Sequence, residues 1–238
     1  IRSKIKKIKK KNKIFDLNYQ NKILKNLKFK LTNDQILALD KINNDMKSKQ
    51  KMFRLLQGDV GSGKTIVSVI AALNAVKAGY QVAIMAPTEI LAIQHYKYIE
   101  ENFKNYCNAE LLTSKTEYKI KKKILNNLSN NKINILIGTH SLFQSRLSYN
   151  NLGLIIIDEQ HKFGVNQRKR LSDKGGDNCD VLVMSATPIP RTMMMTIYGD
   201  MDISLIKTKP KNRKPIKTYS KNESNISEVI KFINKEIL

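Results

Sequence analysis

Arg54-Leu55-Leu56-Gln57-Gly58-Asp59-Val60-Gly61-Ser62-Gly63-Lys64-Thr65 decides the fold of this 238-residue chain. From Gly58 to Thr65 it fits the phosphate-binding pattern GxxxxGK[ST]. The flanks are those the pattern needs. Residues 52–56 are a short apolar run with the character of a buried strand. Residues 66–78 have helical length and apolar density, and Gly79 stops them. Strand, glycine loop and helix together aim backbone N–H groups and a helix N-terminus at a phosphate. Gly58, Gly61 and Gly63 let the backbone come close to it. Lys64 is placed to carry its ammonium to the β- and γ-phosphates, and Thr65 to offer its hydroxyl to Mg2+. The loop predicts a nucleoside triphosphate without saying what its energy drives.

Outward from the loop, apolar strands and amphipathic helices alternate. Residues 81–86, 109–112, 133–137, 152–157 and 180–184 read as strands, and 88–103 and 115–128 as helices. Continuous apolar runs with helices between them predict an α/β domain: a mainly parallel sheet covered by helices on both faces. Ligands gather at the carboxyl ends of such strands. The loops GDVGSGKT, APTEI, GTHSL, DEQH and SATP each follow a strand. Upstream, residues 16–28 suit a short helix with Leu17, Ile23, Leu24 and Leu27 inward. Thr32 followed by Gln35 is a capping-box pattern for a helix running to about Lys47. Gln35 is then either that cap or an amide that donates and accepts at the adenine edge of ATP.

Leu154-Ile155-Ile156-Ile157-Asp158-Glu159-Gln160-His161 is the second decisive stretch. A buried strand delivers two carboxylates side by side to the edge of the sheet. Asp158 suits Mg2+, through water, and Glu159 suits the proton of an attacking water. Lys64 and Asp158 are expected to grip one triphosphate and its ion across neighbouring strand tips. Ser185-Ala186-Thr187-Pro188 follows the next strand. Its two hydroxyls are expected to bond Gln160 or His161, linking hydrolysis to another surface.

Charge is less decisive. The net charge is +23, which favours a polyanionic partner, but only seven of the 43 basic residues are Arg and Ile and Asn abound, as A/T-rich codons would give. The excess sits at the ends: residues 1–30 hold twelve basic side chains and one acid, and residues 207–221 hold seven and none. The Lys-rich run 1–13 reads as a solvated segment or as an arm for phosphates. Cys107 and Cys179 have no C-x-x-C spacing, which argues against a disulfide framework or a zinc site and for buried free thiols in a reducing cytosol. No apolar run approaches a membrane span.

GDVGSGKT, MAPTEILAIQHY, IGTHSL, DEQHKFGVNQR, SATPIPRT and YGDMDIS together resemble the RecG family of ATP-dependent DNA helicases, over about residues 29–216. The phosphate loop is shared by many NTPases. DEQH followed by Phe163-Gly164-Val165, then ATPIPRT and YGD, is far more specific. The resemblance implies a superfamily-2 motor with two RecA-like lobes and with ATP and Mg2+ between them, remodelling branched or duplex DNA at replication forks and Holliday junctions. It implies Gln35 at adenine, and Gly58, Asp59, Val60, Gly61, Ser62, Gly63, Lys64 and Thr65 at the phosphates. Thr65 and Asp158 would serve the metal, and Lys64, Glu159, Gln160 and His161 catalysis. Ser185, Ala186 and Thr187 would couple ATP to movement. Pro87, Thr88, Glu89, Thr139 and His140 would lie along the DNA backbone. Lys162 stands where the family usually has Arg, and Ser185 where Thr is common; charge and hydroxyl are kept.

The family also carries a wedge domain and a second lobe with arginine fingers, for which 238 residues leave no room. Residues 31–206 are therefore expected to be the first RecA-like lobe. Residues 1–30 would join it to the wedge, and 207–238 would be a linker and the start of the second lobe. A cytoplasmic monomer is implied. Two rivals remain: a basic nucleic-acid-binding module with a vestigial nucleotide site, and a P-loop enzyme acting on a small molecule. The paired DEQH and SATP loops speak against the second.

Overall fold

Successive residues of a strand face opposite ways, and here both directions are apolar. Leu56, Ile84, Ile156 and Leu182 point into one core, and Leu55, Met85, Ile157 and Val183 into another. A sheet with two apolar faces has to be covered twice. The computed structural model describes residues 9–143, 147–158, 176–187, 201–208, 220, 222 and 225–237.

Its strands are β1 (Phe53–Gly58), β2 (Gln81–Met85), β3 (Ala109–Leu112), β4 (Ile135–Gly138), β5 (Leu152–Asp158), β6 (Asp180–Ser185) and β7 (Asp202–Ile206). They form one sheet in the order β3-β4-β2-β5-β6-β1-β7, every pairing parallel. The helices are α1 (Leu17–Asn26), α2 (Asn33–Lys47), α3 (Lys64–Lys77), α4 (Glu89–Phe103), α5 (Tyr118–Ser129) and α6 (Ile226–Ile237). Ile23 of α1, Ile42 of α2, Ile70 of α3 and Ile99 of α4 fill the first core; Ile124 and Leu128 of α5 fill the second. The expected RecA-like α/β arrangement is what the chain adopts.

Helix α3 is held by packing and not by its cap. Its N-cap, Gly63, makes no side-chain hydrogen bond, whereas Val67, Ile70 and Leu73 are wholly buried. Each such large side chain contributes about 1.5–3 kcal/mol. Helix α2 does have the expected capping box: Thr32 N–H donates to Gln35 Oε1 at 2.9 Å, and Gln35 N–H to Thr32 Oγ1 at 3.3 Å.

Three expectations need correction. Helix α5 starts at Tyr118 and not at residue 115, because Thr113 and Thr116 close a turn first: Thr113 N–H donates to Thr116 Oγ1 at 2.9 Å. Strand β7 was not anticipated at all. It lies at the sheet's edge beside β1, where Arg54 Nη1 donates to Ser204 Oγ at 3.0 Å and Arg54 Nε pairs with Asp45 at 2.7 Å. The third concerns the end of the Lys-rich run, whose residues 1–8 lie outside the described residues and whose Lys9 and Lys11 are exposed. Lys10 and Lys13 are neither solvated nor an arm for phosphates. Both side chains are wholly buried, and both ammonium groups lie 2.6 Å from the carboxylate of Asp180. The backbone carbonyls of Asp45 and Met46 also accept from Lys10, and that of Asn178 from Lys13. Phe15 and Ile23 join the first core just downstream. Both cysteines are free and buried, and burial pushes each thiol up to about 12.

Beyond β7 the chain is tied back by Asp34. Its Oδ2 accepts from Thr208 Oγ1 at 2.6 Å, Thr208 N–H at 2.8 Å and Lys207 N–H at 2.9 Å. These bonds, the Thr208 hydroxyl first, hold the carboxyl below its ordinary value of 3.8. A depressed folded pKa means the attachment is complete above 3.8 and is lost as the pH falls through the lowered value. The Lys207 and Thr208 amide proton shifts are expected to titrate together in that acid range. Shifts that ignore acid would show that the carboxylate does not hold this segment.

Candidate nucleotide and metal site

The parallel sheet brings every strand's carboxyl end to one edge, and the motif-bearing loops leave from there. Strand β1 ends at Gly58. A Cβ at Gly58 would come 2.6 Å from Ser62 Oγ and 2.8 Å from the Ile206 carbonyl oxygen, so only glycine lets β7 and the loop close on this point. The loop then turns tightly, with Ser62 N–H donating to the Asp59 carbonyl at 3.0 Å. Gly61 and Gly63 take φ of +76° and +87°. Lys64 Nζ lies over the loop and donates to the carbonyls of Gly58 at 2.6 Å and Asp59 at 3.1 Å. Ser62 Oγ is buried with no hydrogen-bond partner, an orphaned polar atom inside the loop. Positive-φ glycines, an ammonium and an unanswered hydroxyl at a helix N-terminus suit an oxyanion group such as a phosphate. Thr65, the second residue of α3, stands beside them.

Gln35 meets this loop from α2. It is 2% exposed, and its Nε2 donates to the Ser62 carbonyl at 2.8 Å while its Oε1 completes the capping box. Both halves of the amide are therefore engaged, one with the cap and one with the phosphate loop.

Strand β5 delivers Asp158 to the same edge, level with Met184 of β6. The side chain of Asp158 is not isolated: its Oδ2 accepts from Nε2 of His95, on α4, at 2.8 Å. Among the described residues no group of three or more His, Cys, Asp or Glu could cage a metal. A single carboxylate and a threonine hydroxyl at this edge suit Mg2+, which keeps its waters and takes one or two protein oxygens plus phosphates. Thr65 and Asp158 are the residues that could hold it.

Between these two tips stands β6. Lys64 and Asp158 were expected on neighbouring strands; the order β5-β6-β1 puts one strand between them. Strands lie about 4.8 Å apart, so the two tips are separated by roughly 10 Å. They still share one edge, and Ser185, level with Gln57 of β1, fills the gap. Ser185 Oγ and Thr187 Oγ1 bond each other at 3.0 Å, and Gln57 Nε2 donates to the Thr187 carbonyl at 3.0 Å. The loop containing Ala186 is thus strapped to the residue that precedes the phosphate loop. Glu159, Gln160 and His161 lie outside the described residues, as does Pro188.

The expected DNA-facing loops follow β2 and β4, which are adjacent. Thr88 caps α4, accepting from Leu91 N–H at 3.3 Å. Glu89 turns toward the β3–α5 turn: its Oε1 accepts from Thr113 Oγ1 at 2.9 Å, and its Oε2 is 3.3 Å from Lys115 Nζ. Pro87 and Thr139 are half-buried. The side chain of His140 lies outside the described residues.

Residues 32–196, well over half the chain, match the family model of the DEAD/DEAH box helicases. The chain belongs to the DEAD/DEAH box helicase family. This helicase-family chain is 48% identical over 216 residues to the ATP-dependent DNA helicase RecG of Thermotoga maritima, covering 90% of the chain and 28% of the relative. It is 47% identical over 217 residues to that of Bacillus subtilis, covering 91% and 32%. The chain thus spans about a third of the length of the curated relatives it matches. Among solved structures, RecG bound to a three-way DNA junction superposes with a TM-score of 0.88 at 42% identity, over 99% of this chain and 32% of the other. The DEAD-box helicase Mss116 bound to single-stranded RNA and UDP-BeF gives 0.66 at 18% identity, over 96% and 54%, a likeness of fold alone. The RecG resemblance read from the motifs is borne out.

Two residues of this helicase site escaped the sequence reading. Gln57 stands between the apolar run 52–56 and Gly58 and was given no role. His95 sits in MAPTEILAIQHY, where a lone histidine on an amphipathic helix carries no signal of its own; its carboxylate partner is 63 residues away.

Proposed function

We propose that this chain is the ATP-binding lobe of an ATP-dependent DNA helicase that remodels branched DNA, such as replication forks and Holliday junctions, in recombination and repair. One observation carries the reading. The phosphate loop, the Ser185-Thr187 loop and Asp158 occupy three successive strand tips on one edge. The likeness to a RecG solved on a three-way DNA junction supports branched DNA as the substrate class.

In this reading the residues from Gly58 to Thr65 bind the phosphates of ATP, with Lys64 also offsetting charge in the transition state. Thr65 and Asp158 hold Mg2+, which neutralises phosphate charge when bound. Glu159 takes the proton of the attacking water beside Gln160 and His161. Gln35 links the adenine side to the loop through Ser62. Ser185, Ala186 and Thr187 pass the state of the phosphates on to movement. Pro87, Thr88, Glu89, Thr139 and His140 run along the DNA backbone, with Glu89 also bonded to Thr113 and beside Lys115. Residues 31–206 are the first RecA-like lobe. Residues 1–30 lead from a wedge domain, and 207–238 are a linker and the start of a second lobe. The complete protein works as a cytoplasmic monomer. Among the described residues no helix is long and apolar enough to cross a membrane.

Lys64→Ala tests this. Affinity for a fluorescent ATP analogue with Mg2+, measured by titration, is expected to fall at least about tenfold, since a charged hydrogen-bond donor contributes about 1.5–3 kcal/mol. Unchanged affinity would overturn the reading. The 238-residue chain by itself is expected to hydrolyse ATP poorly. Arginines supplied in trans contribute about 10³-fold or more in comparable NTPases. Strong DNA-stimulated turnover by the isolated chain would contradict that part.

A further inference from the structure

His95 lies on the buried face of α4, in a stripe with Ala92, Ile99 and Phe103, and is 7% exposed. An imidazole there needs a partner, because a buried donor left unmade costs about 1–3 kcal/mol. The partner is Asp158, 2.8 Å away. An ionised carboxylate only accepts, so Nε2 carries the proton. We propose that His95 is a positioning residue for the metal site: its Nε2–H holds Oδ2 of Asp158 and leaves Oδ1 for a hydrated Mg2+. The inference rests on the reading of Asp158 as the metal carboxylate.

The physical case is one of freedom removed. A carboxylate at a strand tip can turn about two side-chain bonds. A hydrogen bond to a side chain fixed in a packed helix stops that rotation, and such outer partners typically carry about 10–100-fold in metal affinity. The contact also joins two surfaces. Helix α4 opens at Thr88 and Glu89, in the loop proposed to follow DNA, and His95 comes less than two turns later. A shift of α4 therefore reaches Asp158 through a single hydrogen bond.

The test compares His95→Asn, which keeps polarity but is too short to reach Oδ2, with His95→Gln, whose Nε2 reaches further. The full chain is titrated with Mg2+ in the presence of a fluorescent ATP analogue, and again without metal. Thermal melting checks that each variant is folded. His95→Asn is expected to raise the Mg2+ half-saturation concentration about tenfold or more while leaving metal-free nucleotide affinity unchanged. His95→Gln is expected to recover most of the loss. Should the asparagine variant not fold, His95→Leu, which keeps the volume and loses the donor, is expected to show the same shift.

An unaltered half-saturation in His95→Asn, or in His95→Leu where that replaces it, would overturn the proposal. So would an equal loss of affinity with and without Mg2+, since that marks packing alone. Asp158→Asn separates the two levels. If it shifts the metal dependence and the His95 variants do not, only the role of His95 falls. If it shifts nothing, the metal reading of Asp158 falls with it.

Discussion

Asp180→Ala is expected to destabilise the chain by about 3–5 kcal/mol, the usual cost of breaking a buried ion pair from one side. For a chain of this size that is a fall of about 10 °C in the thermal midpoint. The reason is local and specific. Asp180 Oδ1 accepts from Lys10 Nζ at 2.6 Å and from Met52 N–H at 2.7 Å, and Oδ2 accepts from Lys13 Nζ at 2.6 Å. Removing the carboxylate leaves two ammonium groups in a site where both lysine side chains have no exposure. Burial already pulls the Lys10 pKa down from 10.5, against the opposing pull of Asp180, so the loss of that carboxylate drives it further. Replacing all three with apolar residues of similar size, Lys10→Met, Lys13→Met and Asp180→Leu, is expected to restore much of the stability, because the desolvation cost goes with the charges. Circular dichroism melts of the two variants decide it. A midpoint for Asp180→Ala within about 2 °C of the parent would mean the ammonium groups reach water.

Gly63→Ala should cost on the order of 100-fold in Mg-ATP affinity. Gly63 sits at φ +87°, where an L side chain is strained by about 1–2 kcal/mol. Its Cβ would also overlap Gln35 Nε2, the donor to the Ser62 carbonyl. Losing that buried bond adds about 1–3 kcal/mol. An alanine loop escapes these costs by leaving its phosphate-binding shape when empty, so about 3 kcal/mol must be restored on binding, or two decades in affinity. Gly79→Ala is the control: its φ is +85° and a Cβ there would meet nothing within 4 Å, so it carries a like strain past the far end of α3 and is expected to leave nucleotide affinity unchanged. Fluorescent nucleotide titration of both is the measurement. Equal affinities for Gly63→Ala and the parent would show that the loop does not need its glycine to receive phosphate.

The sheet's strands and the phosphate loop were legible because they are local. GDVGSGKT carries its own pattern, and β2, β4, β5 and β6 are unbroken apolar runs. Strand β7 was not legible, since Asp202 and Ser204 interrupt it and an edge strand needs no continuous apolar face. Ser204 is buried, and its hydroxyl accepts from Arg54, 150 residues away. The same distance hid Lys10 and Lys13. In a chain with 43 basic residues nothing marks two lysines as internal until Asp180 is found beside them. Strand order is the third thing a sequence withholds. The motifs gave the set of strand tips but not that Ser185 would stand between Lys64 and Asp158.

The two buried lysines also fix where the chain joins the domain. Asp180 and Ser185 are the opposite ends of one strand, about 20 Å long. The upstream chain is therefore riveted at the pole of the sheet remote from the phosphate loop. Any unit attached ahead of that rivet lies the height of the sheet away from the phosphate loop. News of what it has met can travel along β6 to the hydroxyls at its tip, or along α2, from the Asp45 and Met46 carbonyls that hold Lys10 to the Gln35 amide that holds Ser62.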